Sequence, residues 1–489
     1  MKKILYFFLI SLISINVCIA QNFSRTKKEI YSLKNSPIIK HGQWSVYAEY
    51  VKSKKTIVSL NSEESLAPAS GLKVFTTSAA LNLLGEDFSF RTKLYYDGFI
   101  TDDHILKGNI YIVGGGDPTL GSNSVPGSLP LDSLMWSWTQ AVQKLGIKKV
   151  EGGIVADNLL FDNQRVPDDW NWVDIGNYYG AGSDALTINN NLYYLYFHPS
   201  VIAGNKAEVI RMVPEIPNLK FTNYMKTGAE GSGDNGYIYC APRQFNAILR
   251  GTVPAGVSEF SIKGSIPDPA LFAAQYLKEF LEHYGIDVTR ESRKIDNPVS
   301  YDNSKLITET ISPHLKDIIY FILQTSNNLY TEQVLRTLAL KEKGIGSEEA
   351  GIEVIKSFLD SVGVPTEGFK LYDGCGLSRT DMITTKIMVK LLIYMTKQNV
   401  FNSFYNSLVV ADKYYDDGIR THSGMKYLVE GNARIKTGLI TAVRSQSGYL
   451  KDRKGRLIAF SIIANNHLGT MRQVDDLSKK VMLYLAELK

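Results

Sequence analysis

Hydrophobic and polar residues alternate with a period of two near both ends of the chain. This period places successive side chains on opposite faces of a strand, so these stretches predict β-strands with a buried face. The first two stretches and the last two are each separated by a short polar turn, which predicts hairpins. The strand-like stretches are residues 44–51, 56–60, 433–437, 447–450 and 456–463.

A helical period of 3.6 residues is found between these strands and once after them. The first helical stretch begins at Ser70, is largely apolar and ends at Gly85. A final amphipathic helix is predicted over residues 473–488. The other helical stretches are residues 269–284, 313–323, 329–340, 352–362 and 384–396.

Residues 91–265 have a different texture, with short strands separated by Gly, Asn and Pro. Strands at both ends and helices between them predict one α/β domain, an antiparallel sheet flanked by helices, built from residues 21–92 and 268–489. Residues 93–267 then form inserted, mainly β domains. Four tryptophans of the insert are expected in its core, namely Trp136, Trp138, Trp170 and Trp172.

Residues 1–20 have the pattern of a signal peptide. Lys2 and Lys3 precede an apolar run, and the small residue Ala20 ends the segment. The run is too short and too often interrupted for a membrane anchor, which needs about 20 apolar residues. Lipoprotein processing at Cys18 is disfavoured because Val17 is larger than the small residue expected before it. We expect export to the periplasm and at most peripheral contact with a membrane.

Composition and spacing exclude several classes of protein. The chain has 489 residues and a formal net charge of +5 without a basic block, so nucleic acid is not an expected partner. Its seven histidines are dispersed without metal-ligand spacing, and a G-x-G-x-x-G match at residues 231–236 precedes a strand instead of a helix. No metal or cofactor is therefore expected. Only Cys240 and Cys375 follow the signal peptide, and the sequence leaves open whether they pair.

The tetrapeptide from Ser70 to Lys73 has the form S-x-x-K. One helical turn places Lys73 beside Ser70, where a neutral amine could accept the hydroxyl proton. An ordinary lysine is protonated at neutral pH, so the site must desolvate the amine or surround it with other cations. Two further matches begin at Ser24, in a stretch expected to be poorly ordered, and at Ser423, in a Gly-bearing loop. Only Ser70 opens a long apolar helix, although an ordinary N-cap serine would look the same.

Two more short motifs complete a possible acyl-transfer site. Ser326-Asn327-Asn328 is an S-x-N triplet between helical stretches, and Lys436-Thr437-Gly438 ends a predicted strand. In the second motif a cation and a hydroxyl could bind a substrate carboxylate, while Gly438 allows close approach of the substrate chain. Each motif has a second match, at Ser59-Leu60-Asn61 and at Lys226-Thr227-Gly228, and we interpret the latter as a turn.

S-x-x-K, an S-x-N triplet and K-T-G in this order are the signature of penicillin-recognising serine enzymes. More specifically, the chain resembles the D-alanyl-D-alanine carboxypeptidase/endopeptidase family, the low-molecular-mass class C penicillin-binding proteins. The resemblance covers nearly the whole chain after the signal peptide, including the long gap between the first two motifs. It is carried by residues 68–73, 114–118, 326–330, 373–379 and 435–438.

The resemblance implies a transpeptidase-like domain with a five-stranded antiparallel sheet and two inserted domains. It also implies that Ser70 is the acylated nucleophile, that Lys73 is its base and that Ser326 relays a proton to the leaving amine. The implied substrates are the D-alanyl-D-alanine ends of peptidoglycan stem peptides, and β-lactams would acylate the same serine. Cys375 stands where the family usually has a serine, in a segment that we expect to shape the site.

Substrate-binding roles also follow from the resemblance. Asn328 would orient the peptide, and Lys436 and Thr437 would bind its terminal carboxylate beside Gly438. The backbone amides of Leu439 and of the nucleophile would form the oxyanion hole. Two alternatives remain, a β-lactamase and a catalytically inactive peptidoglycan-binding protein.

Overall fold

The computed structural model describes residues 23–411, 429 and 431–489. The predicted signal peptide and the S-x-x-K match at Ser423 therefore lie outside the described residues. The helices are α1 (23–32), α2 (Lys73–Leu83), α3 (Leu131–Lys144), α4 (Pro269–His283), α5 (Leu315–Thr325), α6 (Asn328–Lys343), α7 (Glu348–Ser361), α8 (Thr385–Met395), α9 (Phe401–Ser407) and α10 (Met471–Ala486).

The strands agree with the predicted hairpins near both ends. They are β1 (Gln43–Tyr50), β2 (Thr56–Leu60), β3 (Arg91–Tyr96), β4 (Phe99–Ile100), β5 (Ile105–Lys107), β6 (Ile110–Val113), β7 (Lys149–Val150), β8 (Ile154–Asp157), β9 (Leu192–His198), β10 (Glu208–Val213), β11 (Lys220–Asn223), β12 (Lys226–Gly228), β13 (Asn235–Tyr239), β14 (Asn246–Pro254), β15 (Phe260–Ser265), β16 (Asp287–Val288), β17 (Arg293–Lys294), β18 (Leu306–Ile311), β19 (Val409–Val410), β20 (Arg434–Ile440), β21 (Val443–Lys451) and β22 (Leu457–Asn465).

The chain divides into two compact units. The first unit comprises Met1–Asn82, Ile322–Ser326 and Ile355–Lys489, and the second comprises Leu83–Phe321 and Asn327–Val354. The second unit is longer than the predicted insert of residues 93–267, because helix α4 packs its apolar side into the same hydrophobic core as helix α3. The assignment of the inserted segment as domains of its own stays a prediction.

The first unit is built on an antiparallel sheet. Its strand order is β19-β20-β21-β22-β1-β2, and β1 pairs with β22 along its whole length, so both ends of the chain share one sheet. Helix α10 buries Val474, Val481 and Leu485 in the core on one face of this sheet. On the other face, the Ser45 and Thr385 hydroxyls form a hydrogen bond of 2.7 Å between β1 and the start of α8. Sheet and flanking helices confirm the predicted α/β architecture, with six strands in the described residues instead of five.

The second unit contains four smaller sheets in the described residues. Their strand orders are β17-β8-β6-β3-β18, β16-β7-β5-β4, β10-β9-β15 and β11-β14-β12, with β13 added to β14. Helix α3 was not predicted, although Leu131, Leu134, Met135, Trp138 and Val142 are buried at helical spacing, a signal that the sequence contains.

Two further expectations about local structure were wrong. Residues 23–32, which contain the first S-x-x-K match, form helix α1 with Ile30 fully buried, so this stretch is ordered. Lys226–Gly228, interpreted as a turn, is strand β12 and pairs in parallel with β14.

The remaining predictions concern tryptophans, cysteines and membrane-spanning helices. Trp170 and Trp138 are buried as expected, whereas the other two tryptophans of the set, Trp136 and Trp172, are exposed. Cys240 and Cys375 are both described, and neither forms a disulfide. Among the described residues, no helix combines the length and the apolar character needed to cross a membrane.

Candidate active site

Ser70 lies in a 3-10 turn, Ala69–Leu72, that leads directly into helix α2. The α-helix thus begins at Lys73, three residues later than the sequence pattern indicates. The Lys73 side chain is completely buried, and its Nζ donates a hydrogen bond of 3.0 Å to Ser70 Oγ. This geometry places an amine within proton-transfer distance of a hydroxyl.

The loop after residue 372 holds Lys73 from the opposite side. Lys73 Nζ also donates to the backbone carbonyl of Cys375, at 2.7 Å, and Thr76 Oγ1 donates to the carbonyl of Gly374, at 2.6 Å. The loop itself is fixed by the buried Asp373, whose carboxylate accepts from the amides of Cys375 (3.0 Å), Gly376 (2.6 Å) and Ser378 (2.7 Å). The backbone at Cys375, independent of its side chain, therefore fixes the amine.

Strand β20 of the same unit carries the K-T-G tripeptide. Lys436 is completely buried, and its Nζ donates to Ser326 Oγ at 2.9 Å and to the Thr437 carbonyl at 2.7 Å. Ser326 follows helix α5 and has a left-handed backbone with φ 61°. Non-glycine residues adopt this conformation infrequently, and such strain is concentrated at functional sites.

Gly438 allows β20 to approach the turn that contains Ser70. A Cβ built on Gly438 would lie 2.5 Å from the Pro68 carbonyl oxygen and 2.8 Å from the Gly71 amide nitrogen, closer than real Cβ contacts. Ser445, on the neighbouring strand β21, donates its hydroxyl hydrogen bond to the same Pro68 carbonyl. Strand and turn are thus packed backbone against backbone, which only glycine permits at this position.

The electrostatic environment of Lys436 is unusual. Burial, together with the positive charges of Lys73 and Arg444, lowers the pKa of Lys436 well below its ordinary value of 10.5. Arg444 is itself held by Asp475 of helix α10, through contacts of 2.6 and 3.1 Å, and its Nη1 lies 3.3 Å from the Gly438 carbonyl oxygen. The site therefore brings three basic side chains together in a region of low dielectric, and an anion bound beside them would favour the protonated form of Lys436.

Asn328 belongs to the second unit, in the first turn of helix α6. Its Nδ2 donates to the carbonyl of Tyr179 at 2.8 Å. The helix is capped by Asn327, whose side chain accepts from the Tyr330 amide, and the Tyr330 hydroxyl donates to Asn190 Oδ1 at 2.7 Å. Asn190 is the middle residue of three consecutive asparagines with positive φ, residues 189–191. A network of second-unit residues therefore fixes the position of Asn328.

The structure brings four of the predicted site residues into two hydrogen-bonded pairs of the first unit, Ser70 with Lys73 and Ser326 with Lys436. Thr437 and Gly438 follow Lys436 along β20 and are buried, whereas the Leu439 side chain is exposed. Sequence reasoning overlooked the supporting residues Asp373, Arg444 and Asn190. Of these three, only Asp373 could have been found from the sequence, because it begins the segment of residues 373–379 that resembles the family.

A serine hydroxyl beside a buried lysine amine, in a turn that packs against an antiparallel sheet and leads into a helix, defines a class of enzyme. With a second buried lysine on the adjacent strand, it is the class of penicillin-recognising serine acyl-transfer enzymes. The chain belongs to the D-Ala-D-Ala carboxypeptidase 3 (S13) family, whose model matches residues 26–487. This membership confirms the family predicted from the sequence.

Individual relatives agree with this assignment. The D-alanyl-D-alanine carboxypeptidase of Actinomadura sp. (strain R39) is 28% identical over 453 residues, which cover 91% of this chain and 81% of the relative. The crystal structure of penicillin binding protein 4 from Haemophilus influenzae has a TM-score of 0.80 at 21% identity and covers 94% of this chain and 99% of its own. A structure of that protein complexed with a β-lactam has a TM-score of 0.75 at 21% identity, with 93% and 98% covered. These structures share the fold.

Proposed function

We propose that this chain is an exported serine D-Ala-D-Ala carboxypeptidase and endopeptidase that acts on peptidoglycan stem peptides through an acyl-enzyme at Ser70. The observation that carries the proposal is the 3.0 Å hydrogen bond between Lys73 Nζ and Ser70 Oγ, with the amine completely buried. Membership in the S13 family and the names of the relatives support the substrate class. The pattern of residues 1–20 supports a periplasmic location.

Acylation begins when the Ser70 oxygen attacks the carbonyl carbon between the two terminal D-alanines. The hydroxyl proton moves to a neutral Lys73 Nζ, and the carbonyl oxygen becomes an oxyanion, which the backbone amides of Ser70 and Leu439 would stabilise. Cleavage of the C–N bond releases the terminal D-alanine, whose amine takes a proton through Ser326. Water then hydrolyses the ester and regenerates the enzyme. When the leaving amine belongs to a cross-linked side chain, the same steps amount to endopeptidase activity.

The buried basic side chains provide selectivity for a substrate with a free carboxylate. Lys436 and Thr437 would bind that carboxylate, and Asn328 would hold the peptide next to it. An anion beside Lys436 favours its protonated form, so carboxylate binding is coupled to proton uptake by this amine. β-Lactams have a carboxylate next to a reactive amide and would therefore occupy the same groups.

The proposal is tested by intact-protein mass spectrometry after incubation with penicillin. The mature protein is expected to gain the mass of one penicillin molecule, and Ser70→Ala is expected to gain none. Ser24→Ala provides a matched control, because Ser24 begins the other described S-x-x-K match and lies in helix α1. A stable adduct on the wild type and on Ser24→Ala, with none on Ser70→Ala, assigns Ser70 as the nucleophile.

Other results would change the conclusion. Rapid turnover of penicillin without a lasting adduct would indicate a β-lactamase. Neither an adduct nor turnover, together with binding of purified peptidoglycan, would indicate an inactive binding protein. Release of D-alanine from a pentapeptide stem, compared with cleavage of a cross-linked dimer of stems, then measures the balance between carboxypeptidase and endopeptidase activity.

A further inference from the structure

The second unit has an exposed sheet face on which aromatic rings and cations alternate. Strand β9 places Tyr193, Leu195 and Phe197 in the core and turns Tyr194 and Tyr196 outward, where both are half-buried. The two outward rings have centroids 6.3 Å apart. Alternation along one strand thus produces an aromatic pair on the solvent side of a sheet.

Neighbouring strands place a cation beside each ring. Arg211 of β10 pairs in register with Tyr196, and its guanidinium carbon lies 3.4 Å from the ring centroid. Lys263 of β15 pairs in register with Tyr194, and its Nζ lies 5.7 Å from that ring. Arg211 also forms an ion pair with Glu259, whereas Lys263 forms no ion pair among the described contacts and is close enough to the Asp234 carboxylate for their charges to interact. Such cation–π contacts hold the rings in place at an exposed site.

The row continues from the sheet toward Asn328, a residue of the same unit. Lys263 Nζ lies 5.2 Å from the ring of Tyr178, which is 45% exposed, and Asn177 forms a bridge with Gly264 that keeps this turn beside β15. The residue after Tyr178 is Tyr179, whose carbonyl accepts the hydrogen bond from Asn328. The five residues Arg211, Tyr196, Tyr194, Lys263 and Tyr178, which we call the aromatic–cationic row, therefore lead to a residue of the proposed site.

Given the proposed action on peptidoglycan, we propose that the aromatic–cationic row binds the glycan strand to which the substrate stem peptides are attached. Sugar rings present apolar C–H faces that pack on aromatic rings, and their hydroxyl and acetamido oxygens accept hydrogen bonds from cations and phenols. The carboxylates of peptidoglycan complement the positive charge of Lys263. Contact with the polymer at a distance from the reacting bond would hold the enzyme on the cell wall and raise the local concentration of stems.

The test compares binding to polymer with reaction on small ligands. The double variant Tyr194→Ala/Tyr196→Ala is expected to bind purified peptidoglycan sacculi about tenfold more weakly, which corresponds to roughly 1.4 kcal/mol. The same loss is expected on glycan strands from which an amidase has removed the stems. Penicillin acylation and D-alanine release from a soluble pentapeptide should match the wild type, which also shows that the variant is folded. Lys263→Glu, a change at an exposed residue, should weaken polymer binding in the same way.

Tyr224→Ala is the matched control, because Tyr224 is a tyrosine of the same unit that is 60% exposed and lies outside the row. Wild-type binding by the double variant, or an equal loss in Tyr224→Ala, would overturn the inference. Loss of binding to sugar-free cross-linked stems, with unchanged binding to bare glycan, would overturn it in favour of a peptide-binding face. Absence of penicillin acylation in the wild type would count against the proposed function instead, so the two failures are distinguishable.

Discussion

The tripeptide Lys-Thr-Gly is present in a β-strand of each unit, but its lysine is in opposite environments. In the first unit, Lys436 of β20 is completely buried and donates a hydrogen bond to Ser326 Oγ. In the second unit, Lys226 of β12 is exposed. A buried amine close to other cations changes its protonation readily, whereas an exposed amine stays an ordinary hydrated charge.

The threonine and glycine of the two tripeptides also differ in what they do. Thr227 is buried in a purely structural contact, since its hydroxyl accepts a hydrogen bond of 2.8 Å from the Ser200 amide. A Cβ on Gly228 would meet only the side chains of Ser232 and Thr252, whereas one on Gly438 would meet the Ser445 hydroxyl and also backbone atoms of the turn around Ser70. The same tripeptide therefore differs in its chemistry because the fold places the copy at Lys436 in a different environment from the copy at Lys226.

The largest expected effect is the difference in activity between a variant at Lys436 and the same variant at Lys226. Lys436→Ala should lower kcat/KM for D-alanine release from a pentapeptide by at least about 100-fold, because a charge-assisted contact to the substrate carboxylate contributes roughly 3 kcal/mol. Lys226→Ala should leave kcat/KM within about twofold of the wild type. Steady-state kinetics of both variants measure the difference directly.

Equal losses in the two lysine variants would show that the wrong tripeptide was assigned to the site. A useful addition is an ester or amide of the substrate that lacks the free carboxylate. The defect of Lys436→Ala should shrink on this analogue, since the wild type then loses the same contact. An undiminished defect would contradict carboxylate binding by Lys436.

The two glycines provide the next comparison. Gly438→Ala should slow acylation by penicillin about tenfold or more, because the added methyl group would meet the Pro68 carbonyl oxygen at 2.5 Å and must push the strand away from the Ser70 turn. Gly228→Ala should be nearly neutral, since the nearest atoms are side-chain oxygens at 2.9 and 3.1 Å that can rotate aside. Stopped-flow acylation rates, with thermal unfolding as a control for folding, test both variants.

Much of the fold of the first unit could be predicted because its signals are local. Alternating residues near both termini predicted the hairpins β1–β2 and β21–β22, and each was found within a few residues of its predicted position. The same logic was available for helix α3 but was masked by the surrounding Gly, Asn and Pro. Strand β12 could not be predicted, because three residues give no period, and its pairing with β14 depends on a distant part of the chain.

The motifs of the site could be predicted from the sequence, but the contacts and charges that surround them could not. The spacing of Ser70 and Lys73 follows from helix geometry, so their contact could be anticipated. The hydrogen bond from Lys73 to the Cys375 carbonyl could not, because the two residues are 302 positions apart and the acceptor is backbone. Likewise, nothing in the sequence indicates that Arg444 contributes to the low pKa of Lys436.

The smallest expected effect is on the free energy of unfolding, in which variants at Lys436 and at Lys226 should again differ. Lys436→Met should increase the free energy of unfolding at pH 7 by about 2 kcal/mol, because an apolar side chain of similar length replaces a buried amine. Lys226→Met should have no such effect, since this lysine is exposed. Guanidinium denaturation of the three proteins at several pH values measures both the size and the pH dependence.

The sign of the pH dependence follows from the direction of the pKa shift. The pKa of Lys436 lies below 10.5 in the folded protein, so between the two values the unfolded chain binds more protons than the folded one. The contribution of Lys436 to wild-type stability must therefore rise as pH rises through this window. Lys436→Met lacks the titrating group, so its advantage should be largest below the lowered pKa and should narrow as pH approaches 10.5. A stability difference that is constant from pH 6 to 10 would mean that Lys436 keeps an ordinary pKa, and the contrast with Lys226 would then rest on geometry alone.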